Sequence, residues 1–118
     1  MSDQSSKRQQ GPIPEITVRE AWQRLAEAGM QPSAALIDVR EAWEYSNGHA
    51  AGAVSLPLSE LQARAGEVPR DRDVLLICQV GQRSMIAAQF LRQQGVERVF
   101  NLDGGTDAWQ AARLPLER

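Results

Sequence analysis

The feature that most constrains the fold of this chain is an alternation of short apolar runs with helical patterns. The apolar runs cover residues 34–39, 53–56, 73–78 and 96–102. Helical patterns precede, separate and follow them, over residues 18–28, 41–45, 59–65, 84–94 and 106–113. Runs of this length are typical of strands, and four consecutive apolar residues within 73–78 suit a strand covered on both faces. The alternation therefore favours a parallel α/β sheet with helices on both faces.

Local signals place some of the boundaries. Thr17 with Glu20 three residues later is a capping-box pattern, which predicts a helix beginning near Val18. Gly29 is the predicted stop of this helix. In the helix predicted over residues 84–94, the apolar stripe consists of Ile86, Ala87, Phe90 and Leu91.

Composition limits the classes of protein that the chain can belong to. A length of 118 residues suits one domain, predicted over residues 13–118, and the polar residues 1–12 predict a flexible tail. A net charge of −2 gives no reason to expect direct nucleic-acid binding, and no apolar run is long enough to span a membrane. The N-terminus has no apolar stretch typical of a signal peptide, so we expect a cytoplasmic protein.

Cys78 is the only cysteine and His49 the only histidine. One cysteine cannot form an intramolecular disulfide, and with one histidine it cannot complete a zinc site. We therefore expect a free thiol, no metal and no cofactor.

Cys78 lies at the end of the most apolar predicted strand, and a short loop leads from it into the helix predicted to begin at Ser84. Such a loop directs backbone N–H groups and the positive end of the helix dipole into one space. Gly81 permits a positive φ there, and Arg83 adds a permanent positive charge. A lone cysteine is usually a small buried apolar residue, but this setting favours a reactive thiolate. The spacing alone leaves both sulfur transfer and phosphatase chemistry open.

Three blocks of sequence resemble the rhodanese-like family. One block comprises LIDVREAWEY at residues 36–45 and GHAAGAVSLP at residues 48–57, another is CQVGQRS at residues 78–84, and the third is LDGGTDAW at residues 102–109. Their order and spacing match those of the family over roughly residues 13–115. The resemblance implies a three-layer α/β fold with a central, mainly parallel sheet of about five short strands and helices on both faces.

The resemblance also implies a sulfurtransferase of the thiosulfate (rhodanese) type, with Cys78 as the catalytic residue. Cys78 would take sulfur from a small anionic donor such as thiosulfate, and a thiol, a partner protein or cyanide would accept it from the Cys78 persulfide. The substrate-binding residues would be Gln79, Val80, Gly81, Gln82, Arg83 and Ser84. Asp38 and Arg40 match the family's Asp-x-Arg element, and we expect them to support the loop as a structural ion pair.

The length of the loop separates two branches of the family. Sulfur-transferring members usually have six residues from Cys to Arg, as Cys78 to Arg83 do here, whereas the cell-cycle dual-specificity phosphatases have seven. The phosphatases also tend to carry His before the Cys, where this chain has Ile77. Sulfur transfer is therefore favoured. The alternatives are a persulfide relay in tRNA thiolation or cofactor biosynthesis and, less favoured, a phosphatase, an arsenate reductase or an inactive regulatory domain.

Several other residues carry structural expectations. Glu44 is expected on a solvated helix face, His49 in a structural role, and Gly104 and Gly105 in a turn near the loop. The three tryptophans, Trp22, Trp43 and Trp109, are expected to pack, with Trp43 also placed to line the pocket mouth.

Overall fold

A computed structural model describes residues 11–27 and 34–118. Most of the predicted tail and the predicted helix stop at Gly29 lie outside the described residues. Within the described ranges, no helix has the length and apolar character needed to cross a membrane.

Strands and helices alternate along the described chain as the sequence predicts. The strands are β1 (Glu15–Ile16), β2 (Ala34–Asp38), β3 (His49–Ala50), β4 (Val54–Ser55), β5 (Asp73–Ile77), β6 (Val99–Leu102) and β7 (Leu116–Glu117). The helices are α1 (Val18–Ala26), α2 (Ala42–Ser46), α3 (Leu58–Arg64), α4 (Gln82–Gln93) and α5 (Gly105–Ala111), with a 3-10 turn at Ala65–Glu67.

Five strands form one parallel sheet in the order β1-β6-β5-β2-β4. The central strand is β5, and its residues 74–77 are fully buried because neighbouring strands flank it and helices cover both faces. This confirms the predicted α/β class and the central parallel sheet. β3 and β7 form a separate antiparallel pair that was not predicted, because neither strand lies in one of the apolar runs of the sequence.

Two apolar cores lie on opposite faces of the sheet. On one face α3 and α4 pack through Leu61 and Leu91, and Cys78 belongs to this core. On the other face α1 and α5 pack through Ala21 and Trp109. Trp22 meets the Trp109 ring edge-on, with 5.9 Å between ring centroids. The site residues thus rest on a framework packed from both sides.

The predicted start of α1 is confirmed, with Thr17 as its N-cap. The Glu20 amide donates to Thr17 Oγ1 over 3.1 Å, but the Glu20 carboxylate pairs with Arg24 rather than closing the capping box.

Trp43 was expected to pack, which is wrong, because its side chain is 68% exposed. It lies on the short helix α2, where Tyr45 is the residue that packs against the core.

The predicted apolar stripe of α4 is partly wrong. Ile86 is 55% exposed, and the helix begins at Gln82, two residues before the predicted start. The buried positions are Ser84, Ala87, Ala88 and Leu91. They have helical spacing, but the first of them is polar, because the Ser84 hydroxyl faces Cys78 and Asn101. The apolar pattern alone therefore placed Ala87, Phe90 and Leu91 correctly against the core and misplaced Ile86.

Candidate active site

Cys78 directly follows β5, at the carboxyl end of the central strand. Gly81 has φ +112°, in the left-handed region that glycine tolerates, and it turns the chain into α4. Three donors converge on Cys78 Sγ: the Gly81 amide at 3.1 Å, the Ser84 amide at 3.3 Å and the Ser84 hydroxyl at 3.2 Å. The loop thus encloses the sulfur with hydrogen-bond donors, as the strand–loop–helix pattern predicts.

The environment of Cys78 favours the thiolate. Burial, the largest influence, raises the pKa of the thiol, because a charged sulfur loses its hydration. Hydrogen bonds from the Ser84 hydroxyl and from the Ser84, Gly81 and Val80 amides lower that pKa, and their combined effect outweighs burial. The net shift is downward, and it arises from the loop that was predicted from Gly81 and the start of α4.

Arg83 lies in the first turn of α4, and its guanidinium forms a two-point ion pair with the Glu44 carboxylate. The Nη1–Oε1 and Nη2–Oε2 distances are 2.7 and 3.0 Å. The Arg83 hydrogen bond lowers the pKa of Glu44, and the Glu44 hydrogen bond raises the pKa of Arg83. The expectation that Glu44 is solvated is wrong, since only 15% of its side chain is exposed. Helix α2 thus contributes a carboxylate beside the loop.

Asp38 and Arg40 form a buried ion pair at the end of β2. Arg40 Nη2 lies 2.8 Å from Asp38 Oδ2, and Arg40 Nε contacts both carboxylate oxygens at 3.1 Å. Arg40 also donates to the Gly48 carbonyl and, from Nη1 over 3.0 Å, to Gln79 Oε1. The pair therefore reaches the first residue after Cys78 through the Gln79 side chain.

The first turn of α5 packs directly on the backbone of the loop. The Thr106 amide and hydroxyl both donate to the Cys78 carbonyl, over 2.8 and 2.9 Å. A Cβ on Gly105 would lie 2.5 Å from that carbonyl oxygen and 2.7 Å from the Gln79 carbonyl carbon. The expected role of this glycine turn near the loop is confirmed, and the close approach explains why Gly105 has no side chain.

Asn101 and Glu15 were missed by the sequence analysis. Asn101 lies in the buried strand β6, where its Nδ2 donates to the Gly81 carbonyl over 3.1 Å and to Glu15 Oε2 over 2.9 Å. Its Oδ1 accepts a hydrogen bond from the Ser84 hydroxyl. A polar residue inside the apolar segment VFNL is the signal that could have identified Asn101. Glu15 has no comparable signal.

A polar cavity of about 480 Å³ borders the loop. Its lining includes Arg40, Glu44, Gln79, Thr106 and Glu117.

His49 donates from Nδ1 to the Tyr45 carbonyl over 2.9 Å and stacks on the Tyr45 ring. These contacts match its expected structural role.

Comparison with known proteins agrees with this geometry. The sequence model of the rhodanese-like domain family matches residues 17–112 of this chain. A sulfurtransferase of Allochromatium vinosum is 38% identical over 104 residues, which are 88% of this chain and 94% of that protein.

Solved structures share the fold. A rhodanese-related protein of Thermoplasma volcanium superposes with a TM-score of 0.78 at 26% identity, over 89% of this chain and 98% of that one. The rhodanese-like domain of an Anabaena protein gives 0.77 at 28% identity, over 88% of this chain and 78% of that one. The chain belongs to the rhodanese-like domain family.

Proposed function

We propose that the protein is a sulfurtransferase that carries sulfane sulfur on Cys78 as a persulfide. The observation that carries this proposal is the set of three donors around Cys78 Sγ, at 3.1 to 3.3 Å. These donors stabilise negative charge on the sulfur, which is what a nucleophilic thiolate requires. Family membership and a relative named as a sulfurtransferase support the same chemistry.

In the first half of the cycle, the Cys78 thiolate attacks the outer sulfur of thiosulfate or a related donor. A new S–S bond forms, the S–S bond of thiosulfate breaks, and its electron pair leaves with sulfite. The negative charge of the former thiolate now lies on the outer sulfur of the persulfide. Arg83 and the amides of the loop, from Gln79 to Ser84, are the groups that we assign to binding the anionic donor.

In the second half, a nucleophilic acceptor attacks the outer sulfur of the persulfide. The S–S bond breaks, its electron pair returns to Cys78 Sγ, and the acceptor leaves with the sulfur. Cys78 is buried, 1% exposed, so the bridging sulfur Sγ is shielded from bulk water between the two halves. Asp38 and Arg40 do not take part in this chemistry in our proposal; they hold Gln79 and thereby support the loop.

Sulfur transfer is preferred to phosphoryl transfer because of the size of the loop. Six residues from Cys78 to Arg83 form a smaller ring than the seven of the related phosphatases, and a sulfur atom needs less room than a tetrahedral phosphoryl group.

Besides small molecules such as thiosulfate, another protein could supply the sulfur to Cys78 or receive it. Val80 in the loop and Trp43 beside Glu44 are 53% and 68% exposed. Exposed apolar side chains near a reactive sulfur suit the docking of another protein. A relay role in tRNA thiolation or cofactor biosynthesis would fit such a partner. We place the protein in the cytoplasm, where reduced thiols persist.

The experiment that tests this proposal is intact-mass analysis after incubation with thiosulfate. Wild-type protein should gain the mass of one sulfur atom and lose it on addition of cyanide or a thiol. Cys78→Ser should gain nothing. The absence of a sulfur adduct with thiosulfate, with low-molecular-weight persulfides and with a persulfide-loaded protein would exclude sulfur transfer through Cys78.

A further inference from the structure

The Ser84 hydroxyl has one hydrogen and two acceptors within reach. Cys78 Sγ lies 3.2 Å from Ser84 Oγ, and Asn101 Oδ1 also lies within hydrogen-bond distance of the same oxygen. A hydroxyl donates a single hydrogen, so it can satisfy only one of them at a time. Ser84 and Asn101 are both fully buried, and water therefore does not compete for that hydrogen.

The orientation of the Asn101 amide is fixed by its other contacts. Its Nδ2 donates to two acceptors, the Glu15 carboxylate and the Gly81 carbonyl. If the amide were rotated by half a turn, Oδ1 would face both of these oxygens and two hydrogen bonds would be lost. Oδ1 is therefore held facing Ser84, where it can accept the hydroxyl hydrogen.

We propose that Asn101 is a positioning residue that holds the Ser84 hydroxyl hydrogen while Cys78 Sγ is uncharged and releases it when Sγ becomes an anion. Sγ is an anion only in the free thiolate. It is uncharged in the thiol and, given the proposed persulfide cycle on which this inference rests, also as the bridging sulfur of the persulfide. In the thiol, the S–H group can donate to Ser84 Oγ while Ser84 donates to Asn101 Oδ1.

The exchange accompanies each sulfur transfer without any proton leaving Ser84. When an acceptor breaks the persulfide, the S–S electron pair arrives on Sγ, and the Ser84 O–H rotates from Asn101 Oδ1 to the new thiolate. When a donor reloads Cys78, the charge moves to the outer sulfur, and the O–H returns to Asn101. Asn101 thus stabilises the two states in which Sγ carries no charge.

This role can be separated from a purely structural one by the direction of a pH effect. Removing Oδ1 destabilises the thiol but not the thiolate, so it should lower the pKa of Cys78. If Asn101 served only to hold the loop through the Gly81 carbonyl, its loss would displace the Gly81 amide from Sγ and raise that pKa. The two roles therefore predict opposite shifts.

The test measures the rate of Cys78 alkylation by iodoacetamide against pH in Asn101→Leu, Ser84→Ala and the double variant. Leucine places two methyl groups where Oδ1 and Nδ2 lie. We expect Asn101→Leu to lower the midpoint, which increases the thiolate-to-thiol ratio about three- to tenfold, the value of one neutral hydrogen bond. In the Ser84→Ala background, Asn101→Leu should produce no further shift, because the hydroxyl through which Asn101 acts is absent.

The charged groups around the loop are the same in all three variants. They are Glu15 on β1, Asp38 at the end of β2, Arg40 after it, Glu44 on α2, Arg83 on α4 and Asp107 on α5. A raised or unchanged midpoint in Asn101→Leu, or an equal shift with and without Ser84, would overturn the proposal.

Asn101→Asp keeps the shape of the side chain and an oxygen facing Ser84, so it covers the case in which Asn101→Leu does not fold. Its midpoint should not fall, and added negative charge would raise it. A midpoint as low as that expected for Asn101→Leu would overturn the proposal.

A second measurement links the exchange to sulfur transfer. At a pH above the alkylation midpoints, where the free enzyme is thiolate, the equilibrium between thiosulfate plus free enzyme and sulfite plus persulfide should move toward free enzyme in Asn101→Leu, by the same factor as the thiolate-to-thiol ratio. A shift toward the persulfide would contradict the proposal. If no variant and no wild-type protein forms a persulfide while the alkylation midpoints move as expected, the proposed function fails and the hydroxyl exchange stands.

Discussion

Arg83 and Glu44 form a two-point ion pair beside the Cys78 loop, with nitrogen–oxygen distances of 2.7 and 3.0 Å. The pair joins the first turn of α4 to helix α2. It engages two of the guanidinium nitrogens, so part of the positive charge that an anionic donor would meet is already compensated. The strength of donor binding should therefore depend on Glu44 as well as on Arg83.

Glu44→Gln should lower the KM for thiosulfate, because it releases positive charge beside the loop while the amide oxygen can still accept from the Glu41 amide. Arg83→Ala should raise that KM about tenfold or more, the value of a hydrogen bond to a charged group. Steady-state kinetics with thiosulfate and cyanide measure both. Glu60→Gln, which removes the same charge from helix α3, serves as the control. A KM that rises in Glu44→Gln as much as in Arg83→Ala would show that the intact pair, rather than a free guanidinium, is needed.

The reactivity of Cys78 should rise with pH around a midpoint below the ordinary thiol value of 9.0, because the loop lowers the pKa in the folded state. The thiolate therefore contributes stability at high pH, and this contribution is lost as the pH falls through the folded pKa. Ser84→Ala should raise the midpoint, since its hydroxyl is the first of the groups that lower the pKa. Alkylation rates measure it, with Ser59→Ala on α3 as the control. A midpoint unchanged by Ser84→Ala would remove the hydroxyl from this role.

Arg40→Ala should destabilise the fold by about 3–5 kcal/mol, because it leaves the buried Asp38 carboxylate without its partner. The Gln79 side chain would also lose its contact with Arg40, so transfer should slow even in the folded fraction. Urea denaturation gives the free energy of unfolding. The matched control is Arg72→Ala, whose partner Asp71 is exposed, and it should change little. Equal effects of the two substitutions would mean that burial of the Asp38–Arg40 pair does not increase its contribution to the free energy of unfolding.

The sequence was sufficient for the parallel sheet and for the position of Cys78. Four apolar residues in a row specified β5, and a cysteine, a glycine and a helix start within seven residues specified the loop. Both signals are local, so they can be recognised in the sequence without knowledge of tertiary contacts.

The parts of the site that were missed depend on contacts between distant segments. Glu44 meets Arg83 only because α2 packs near α4, and Asn101 meets Gly81 only because β6 neighbours β5. The start of α4 was also misplaced, because Gly81 begins the helix through a left-handed backbone and not through a capping side chain. No pattern within a single segment indicates such partners.

Gly105→Ala should displace the Cys78 loop. Its Cβ would lie 2.5 Å from the Cys78 carbonyl oxygen, a backbone atom that cannot rotate away, and Gly105 also has φ +57°. We expect a loss of about 2 kcal/mol in the free energy of unfolding, and slower alkylation of Cys78 at neutral pH as the amides leave the sulfur. Gly66→Ala is the matched control, because no atom lies within 4 Å of its added Cβ and its φ is not positive. If both variants unfold and react alike, the contact between the α5 turn and the loop does not hold Cys78 in its reactive position.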